Sequence, residues 1–445
     1  MSKLDFATAR SGFKAGTLTP REFLETCLKQ IDKREPVVRA FVTLNLDGAR
    51  KAADASTKRW KSRKPLSSID GLPIAIKDII ETVDMPTEFG SPIFKNWNGG
   101  RDSACAFALR QAGAVIVGKA VTTEFAGAPP GPTTNPHDKR RTPGGSSSGS
   151  AAAVAAGMVP VAIGTQVGGS VLRPASFCGI VGFKPTFGAL NRGGIGDQFS
   201  QNCIGTLSHT LEDAWAVAHE IAKRVGGDPG FLPFAGGAEP AAPRRPDVLA
   251  VLETDGWAVA DAGAKKALAA FLKKLEKAGV TLIDRKSSKR VAQLEDAIAG
   301  ASDLSLGIND WEKLWPFADM ELRDGDRMSA GLRKAVLKGR DDMTVDDYIA
   351  LLKKRDYARD VLMGLAGDVD ACITLGSAGP APLGIDSTGN AIFNMPASML
   401  RNPALSLPLL KCDGLPLGLQ LLGFPNRERA LSGIAAWTTA FGSKK

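Results

Sequence analysis

Two glycine- and serine-rich stretches carry the residue types that acyl-transfer chemistry needs. The first, TPGGSSSGS, covers residues 142–150, and the second, TQVGGS, ends at Ser170. Consecutive glycines before a serine let backbone N–H groups converge without interference from side chains, which is what stabilisation of a tetrahedral oxyanion requires. The second stretch therefore predicts a serine nucleophile beside an oxyanion hole.

Two alternative functions must be considered for the first stretch, phosphate binding and a nucleophile elbow. Glycine-rich turns into helices can bind phosphate, but neither GxGxxG nor a Gly-Lys-Ser/Thr ending is present here. The segment GSSSG at 145–149 formally matches the GxSxG nucleophile elbow, with His209 and His219 downstream as possible bases. An elbow needs a strand directly before the serine, whereas residues 135–143 are polar and contain two prolines. The sequence therefore disfavours nucleotide binding and the elbow.

A third mechanism is a Ser-Ser-Lys relay, in which a lysine held neutral by burial replaces histidine as the base. Lys77 follows the apolar run LPIAI at 72–76, which is typical of a short strand buried on both faces. A lysine at the end of a strand can also extend its amine to solvent, so its position alone leaves both interpretations open. The chain has only three histidines, and their loop and helix positions favour structural or solvated roles.

Helix and strand patterns alternate along the chain and predict an α/β fold with a largely parallel sheet. The capping box at 19–22 begins an amphipathic helix, and the small residues at 151–157 predict a helix that packs very closely against its neighbours. Further helices are predicted near 47–60 and over 103–112, 262–278 and 345–365, and further strands over 114–118, 248–252, 280–283 and 371–375. A glycine- and proline-rich connection at 226–246 separates the two halves of this pattern.

The composition excludes several classes of protein. A chain of 445 residues with 44% hydrophobic and 23% charged residues is typical of a globular enzyme and not of a disordered or fibrous protein. The six cysteines are scattered without a CxxC pair or zinc-ligand spacing, so no metal site is predicted.

Charge and hydropathy bear on partners and on location. The net charge of +9 is spread along the chain without a long basic block, so no nucleic-acid partner is expected, although mild attraction of an anionic substrate is consistent with it. The amino terminus lacks a signal-peptide run, and no uncharged apolar stretch reaches membrane-spanning length. We expect a cytoplasmic protein with no membrane partner.

Four motifs taken together resemble the amidase signature family. They are GLPIAIKD at 71–78, GGSSSGSAAAVAAG at 144–157, GGS at 168–170 and PASFCGIVGFKPT at 174–186. Shorter matches extend the resemblance over most of the chain, least of all at 226–330. It implies one amidase domain over 1–445, with 226–330 as a variable insertion or substrate-side region. The implied fold is a large mixed, mostly parallel central sheet covered by helices on both faces.

The resemblance also assigns roles to residues. It implies a catalytic triad of Ser170 as nucleophile, Ser146 behind a cis peptide bond as proton bridge, and Lys77 as base. Ser147 resembles a family position that helps to orient the lysine. The backbone N–H groups of an oxyanion hole would be those of Val167, Gly168, Gly169 and Ser170. This chemistry passes through an acyl-enzyme and requires no cofactor.

Two departures from the common family pattern concern the substrate. Many members have aspartate where this chain has Gln166, and their arginine stands at the position of Leu172, one residue before Arg173. The form found here resembles the malonamidase-like branch, in which the arginine contacts a substrate carboxylate. Gln166 and Arg173 are therefore candidate substrate-binding residues, although Arg173 can alternatively pair with an internal acidic residue. The apolar segment 304–317 predicts either an acyl pocket or a helix core.

The leading hypothesis is an amidohydrolase that cleaves a small-molecule amide and releases a carboxylate with ammonia or an amine. One alternative is the glutamine-hydrolysing amidase subunit of a tRNA-dependent amidotransferase, against which Gln166 and the shifted Arg173 argue. The other is a catalytically silent binding homologue, which retention of Lys77, Ser146 and Ser170 disfavours. The resemblance further implies a homodimer.

Overall fold

The computed structural model describes residues 5–127, 129–196 and 199–443. Its central element is an 11-stranded sheet with the strand order β1-β3-β2-β4-β6-β5-β10-β11-β9-β7-β8. The strands are β1 Phe41–Leu44, β2 Pro73–Lys77, β3 Val115–Ala120, β4 Val161–Gln166, β5 Val181–Lys184, β6 Cys203–Ser208, β7 Val248–Val251, β8 Thr281–Ile283, β9 Ala371–Leu375, β10 Ala404–Cys412 and β11 Leu415–Leu422.

Fifteen α-helices are found in the described ranges, besides short 3₁₀ turns. They are α1 Phe6–Ala15, α2 Pro20–Val38, α3 Leu46–Lys61, α4 Ala104–Gln111, α5 Ser148–Ala155, α6 Leu172–Cys178, α7 Leu211–Val225, α8 Ala262–Lys277, α9 Lys289–Ile298, α10 Ala301–Glu312, α11 Leu314–Asp324, α12 Ala330–Asp341, α13 Val345–Gly364, α14 Met395–Met399 and α15 Glu428–Gly442. None of the described helices combines the length and the apolar character needed to cross a membrane.

The predicted α/β fold with a large mixed sheet is confirmed. Parallel pairing is confined to β3-β2-β4 and to β9-β7-β8, and the ladders between these two groups are antiparallel. One cause is the tight turn at Asp413-Gly414, where both residues have positive φ and Cys412 pairs with Leu415. Such a two-residue turn joins only antiparallel strands, whereas helix crossovers join the parallel ones.

The sheet has apolar cores on both faces. Ile74 and Ile76 of β2 belong to one cluster of buried residues, and Ala75 between them belongs to another. Successive side chains of a strand point to opposite faces, so the two clusters lie on opposite faces of the sheet. Helices α4 and α7 contribute to the first cluster, and α5 contributes to the second. Both faces are therefore covered, as the resemblance implies.

Helix α5 is central, as its small residues predict. Every one of its residues is buried. A Cβ atom on Gly149 would overlap the Ala40 carbonyl oxygen and the Val121 nitrogen, and both of these are backbone atoms. Only a glycine allows this approach, so the first turn of α5 is pressed against the end of β3.

The 226–330 region contributes β7 and β8 to the end of the sheet and also contains α8–α11. The other sequence-predicted helices and strands are present within a few residues of their expected bounds. The description of the chain as one domain with an insertion stays a prediction.

Candidate active site

The candidate catalytic residues meet at one edge of the sheet because β2 and β4 are parallel neighbours. Parallel strands end at the same edge, so Lys77 at the end of β2 lies close to the turn that follows β4. That turn leads to Ser170, just before α6, while Ser146 ends the loop before α5. Ser146 and Ser170 both line a cavity of about 240 Å³, here called the Ser170 cavity.

Lys77 is fully buried and hydrogen bonds to two hydroxyl groups. Its Nζ donates to Ser146 Oγ at 2.7 Å and to Thr165 Oγ1 at 2.8 Å. The peptide bond between Gly145 and Ser146 is cis, as the resemblance implies. The amine is therefore directed at the loop serine and not at solvent, which resolves the ambiguity that its position in the sequence left open.

Ser147 connects the loop to the strand that supports the lysine. Its Oγ donates to the Thr165 carbonyl oxygen at 3.2 Å, and the Thr165 backbone N–H lies 3.4 Å from the same Oγ. Its backbone N–H also donates to the Ser170 carbonyl oxygen at 3.4 Å. Ser147 can thus orient Lys77 through Thr165. Thr165 was not predicted as a site residue, because a threonine at a strand end has no distinctive signal in the sequence.

The turn after β4 presents free backbone donors to the cavity, and its first residue, Val167, also lines that cavity. In the part of the chain that the structure describes, the N–H groups of Gly168, Gly169 and Ser170 donate to no protein acceptor. Gly169 is needed for space, since a Cβ there would lie 2.8 Å from Asn394 Oδ1 and 3.0 Å from Ala391 Cβ, whereas a Cβ on Gly168 would meet only the flexible end of Met395, with Cε at 2.9 Å. This arrangement can stabilise a developing oxyanion.

Gln166, a predicted substrate-binding residue, does not line the Ser170 cavity. It is fully buried, and its Oε1 accepts the backbone N–H groups of Val171 and Leu172, both at 2.9 Å. Its Nε2 donates to Ser398 Oγ at 3.0 Å, and Ser398 Oγ donates to the Gly168 carbonyl oxygen at 2.6 Å. Its amide is thereby engaged at both ends and positions the turn that carries the free donors.

Arg173 lines the Ser170 cavity and is held by backbone carbonyls, not by an acidic partner. One terminal nitrogen donates to the Gly389 carbonyl oxygen at 2.9 Å; the other donates to the Gly145 carbonyl oxygen at 2.5 Å and to Thr388 Oγ1 at 3.0 Å. Among the described residues no carboxylate forms an ion pair with it, and its buried Nε has no hydrogen-bond partner. Burial lowers the pKa of Arg173 to about 10.

A buried ion pair stands directly beside the lysine. Lys119 Nζ on β3 lies 3.0 Å from Asp78 Oδ1, and both side chains are fully buried. Lys119 Nζ also donates to Thr87 Oγ1 at 2.6 Å. Burial raises the pKa of Asp78 to about 6 against the opposing effect of Lys119, and burial lowers the pKa of Lys119. The pair fixes the end of β2 against β3.

The 304–317 segment contributes both to cavity walls and to a helix core. Leu306 and Phe317 line the Ser170 cavity, whereas Leu304 packs against a buried core cluster. Trp311, Trp315 and Phe317 line a second cavity, which has a volume of about 640 Å³ and is here called the aromatic cavity. None of the three histidines, all of which lie in the described ranges, lines either one.

Metal chemistry has no candidate site in the ranges that the structure describes. No group of three or more His, Cys, Asp or Glu side chains there is arranged to hold a metal ion. The six cysteines are buried and free.

Known proteins with similar sequences point to the same kind of site. The Amidase family model matches residues 22–431. A relative from Chloroflexus aurantiacus, described as one of the subunits of glutamyl-tRNA(Gln) amidotransferase, is 31% identical, over 96% of this chain and 94% of the relative.

Solved structures are similar as well. One described as an amidase is 26% identical, with a TM-score of 0.82 over 97% of this chain and 99% of its own. The native peptide amidase from Stenotrophomonas maltophilia has a TM-score of 0.81 over 99% of this chain and 97% of its own, and its 23% identity supports the fold alone. The chain belongs to the amidase family and is an amide-hydrolysing enzyme.

Proposed function

We propose that this chain hydrolyses a carbon–nitrogen amide bond with Ser170 as nucleophile, Ser146 as proton bridge and Lys77 as base. The observation that carries the proposal is the contact of the buried Lys77 amine with Ser146 Oγ at 2.7 Å, on the wall of the cavity that also holds Ser170. In the neutral form of the lysine, the same contact lets Ser146 pass its proton to Nζ.

The reaction then has two stages. Ser146 takes the proton of Ser170, whose Oγ attacks the amide carbonyl carbon while the free N–H groups of Gly168, Gly169 and Ser170 bind the oxyanion. Ser146 returns a proton to the leaving nitrogen, and the carbon–nitrogen bond breaks to give an acyl-enzyme and ammonia or an amine. Water repeats the relay and releases the carboxylate.

We propose further that the substrate carries a carboxylate. Among the described lining residues, Arg173 is the charged group without a carboxylate partner, while Lys313 is paired with Asp310. No acidic side chain is found among the described lining residues. A buried guanidinium with an unsatisfied Nε gains from an anionic ligand.

A second candidate is glutamine as the amide donor in a complex with a partner, and the curated relatives named as amidotransferase subunits favour it. Glutamine also carries a carboxylate, but its α-ammonium would find no acidic side chain on the described lining. Hydrolysis of glutamine compared with an equally long amide that lacks the ammonium separates the two candidates.

The mechanism is tested with a serine-directed fluorophosphonate probe. We expect wild-type protein to be labelled and Ser170→Ala protein not to be. Labelling that survives the substitution would contradict the assignment of the nucleophile.

The role of Arg173 is tested by ammonia release from matched acidic and neutral amides. For Arg173→Ala we expect kcat/KM on the acidic amide to fall about 10- to 100-fold more than on the neutral one, the size of one charge-assisted contact. Equal losses on both would show that Arg173 only holds the Gly145 and Gly389 carbonyls in place.

A further inference from the structure

The Ser170 cavity and the aromatic cavity share one boundary, formed by three phenylalanine rings. Phe125, Phe199 and Phe317 line both. Phe317 lies at the middle, since its ring centroid is 5.2 Å from that of Phe125 and 6.0 Å from that of Phe199. The two cavities therefore adjoin at these rings, and this is where a substrate too long for the Ser170 cavity would meet the second space.

The two spaces differ in size and in chemistry. About 240 Å³ around Ser170 is less than the range of roughly 300–1,000 Å³ typical of ligand pockets, whereas about 640 Å³ in the aromatic cavity lies within it. The larger space is walled mainly by apolar rings and chains, among them Trp311, Tyr348 and Met320. Trp311 and Tyr348 stack with their ring centroids 5.6 Å apart. A planar apolar group would find parallel faces to pack against.

Glu312 is the one carboxylate among the described residues of this wall, and it is already engaged. Its Oε1 accepts the hydroxyl of Tyr348 at 2.8 Å, and its Oε2 accepts the backbone N–H of Ser200 at 2.8 Å. The described part of the wall therefore offers an incoming group apolar surface and not a free negative charge. An aromatic or aliphatic group fits this space better than a cation.

The backbone at the boundary is held in an uncommon conformation. Phe125 and Ala126 both have positive φ, 44° and 59°, which non-glycine residues seldom adopt. The Phe125 backbone N–H donates to the Phe89 carbonyl oxygen at 2.7 Å, and its ring packs on those of Phe89 and Phe94. Residues kept in such conformations are concentrated at ligand-binding positions.

We propose that the aromatic cavity is a binding subsite for an apolar, preferably aromatic, substituent of the amide substrate. This inference rests on the proposed function and adds a substrate class to it. The class is amides whose reactive bond lies at Ser170 and whose apolar end reaches past the three shared phenylalanine rings into the aromatic cavity. The substituent belongs to either the acyl or the amine half, and the experiment separates these.

The test compares two matched pairs of amides. One pair, 4-phenylbutanamide and butanamide, varies the acyl half, and the other, N-(3-phenylpropyl)acetamide and N-propylacetamide, varies the amine half. We expect wild type to favour the phenyl compound in one pair by about tenfold or more in kcat/KM, and Trp311→Ala to remove about tenfold of that preference, the value of one aromatic contact with its buried area.

Trp437→Ala is the matched control. Trp437 stacks on Phe441 in α15 and lines neither cavity, so its loss should leave the preference unchanged. If Trp311→Ala fails to fold, Met320→Trp, which fills the subsite, should lower kcat/KM on the phenyl compound alone. Equal changes on both members of each pair, in whichever variant folds, would overturn the subsite.

Binding separates failure of the subsite from failure of the mechanism. Calorimetric titration of Ser170→Ala protein with 4-phenylbutanamide and N-(3-phenylpropyl)acetamide needs no turnover. If one of the two compounds binds, and Trp311→Ala weakens that binding about tenfold, the subsite is supported even if no amide is hydrolysed. No binding of either compound, in an enzyme that hydrolyses short amides through Ser170, overturns the subsite and leaves the mechanism standing.

Discussion

The Ser170 cavity and the aromatic cavity are built by different means. Polar contacts at the sheet edge fix the first: Lys77 and Thr165 lie on neighbouring parallel strands, and Gln166 holds the turn that follows. Side chains of α10, α11 and α13 supply much of the second, together with rings from loops. Helices α10 and α11 reach both cavities, so on the proposed function the sheet edge acts on the reacting bond while these helices contact the groups attached to it.

The largest effect is expected at the lysine. Lys77→Ala should lower kcat/KM about 10²- to 10⁴-fold on every amide alike, because general base catalysis is lost while both cavity linings remain. The measurement is ammonia release across the amide panel. Lys58→Ala, at an exposed lysine of α3, is the control and should change nothing. A loss of kcat/KM that differs strongly from one amide to another would contradict the proposed division of roles between the two cavities.

A smaller effect is expected at the buried glutamine. Gln166→Met keeps the volume but leaves the N–H groups of Val171 and Leu172 without their acceptor, so the turn that carries the free backbone donors shifts. We expect kcat to fall about 10²-fold and KM to change much less, since small misplacements of catalytic groups have that size of effect. The losses should be equal for acidic and neutral amides. A loss confined to acidic amides would return Gln166 to the substrate-binding residues.

A change outside both cavities should leave activity unaltered and alter stability only. Burial raises the pKa of Asp213, at the start of α7, to about 7, while the Phe6 backbone N–H opposes the shift. The folded-state pKa of Asp213 lies above the unfolded value of about 3.9. The contribution of the protonated Asp213 to the free energy of unfolding is therefore complete below about pH 3.9 and is lost as the pH rises through about 7.

Between about pH 4 and pH 8 the free energy of unfolding of the wild type should therefore fall by up to roughly 4 kcal/mol because of Asp213. In Asp213→Asn this fall should be absent. Urea unfolding at these two pH values measures it, with exposed Asp47→Asn as control. A wild type that gains stability over this range, relative to the variant, would show that Asp213 is stabilised as a carboxylate.

The sequence predicted which candidate catalytic residues lie together at the sheet edge better than it predicted the residues that hold them there. The placements of Lys77, Ser146 and Ser170 follow from short motifs and from the end of a buried strand, which are local signals. Thr165 and the buried position of Gln166 depend on which strand lies beside which. That pairing is decided by long-range packing and leaves no trace in residue spacing.

The antiparallel strands, the aromatic cavity and the 304–317 segment differ in how far neighbouring residues in the sequence indicate them. The antiparallel middle of the sheet had one, since Asp413-Gly414 between apolar runs is typical of a tight hairpin. The aromatic cavity had none, because its lining comes from segments as distant as Phe89 and Tyr348. The 304–317 segment showed an apolar pattern, but a pattern cannot distinguish a helix core from a cavity wall.

The pairing of β2 with β4 has a consequence for the newly made chain. Lys77 and Ser146 are 69 residues apart in the sequence, and the lysine is held by Thr165 across that pair. Contacts between such distant segments form late compared with local helices, because closing long loops costs entropy before any contact is gained. Hydrolytic activity should thus appear only after this part of the sheet has assembled, so its recovery during refolding would report on completed strand pairing, while helix content would recover earlier.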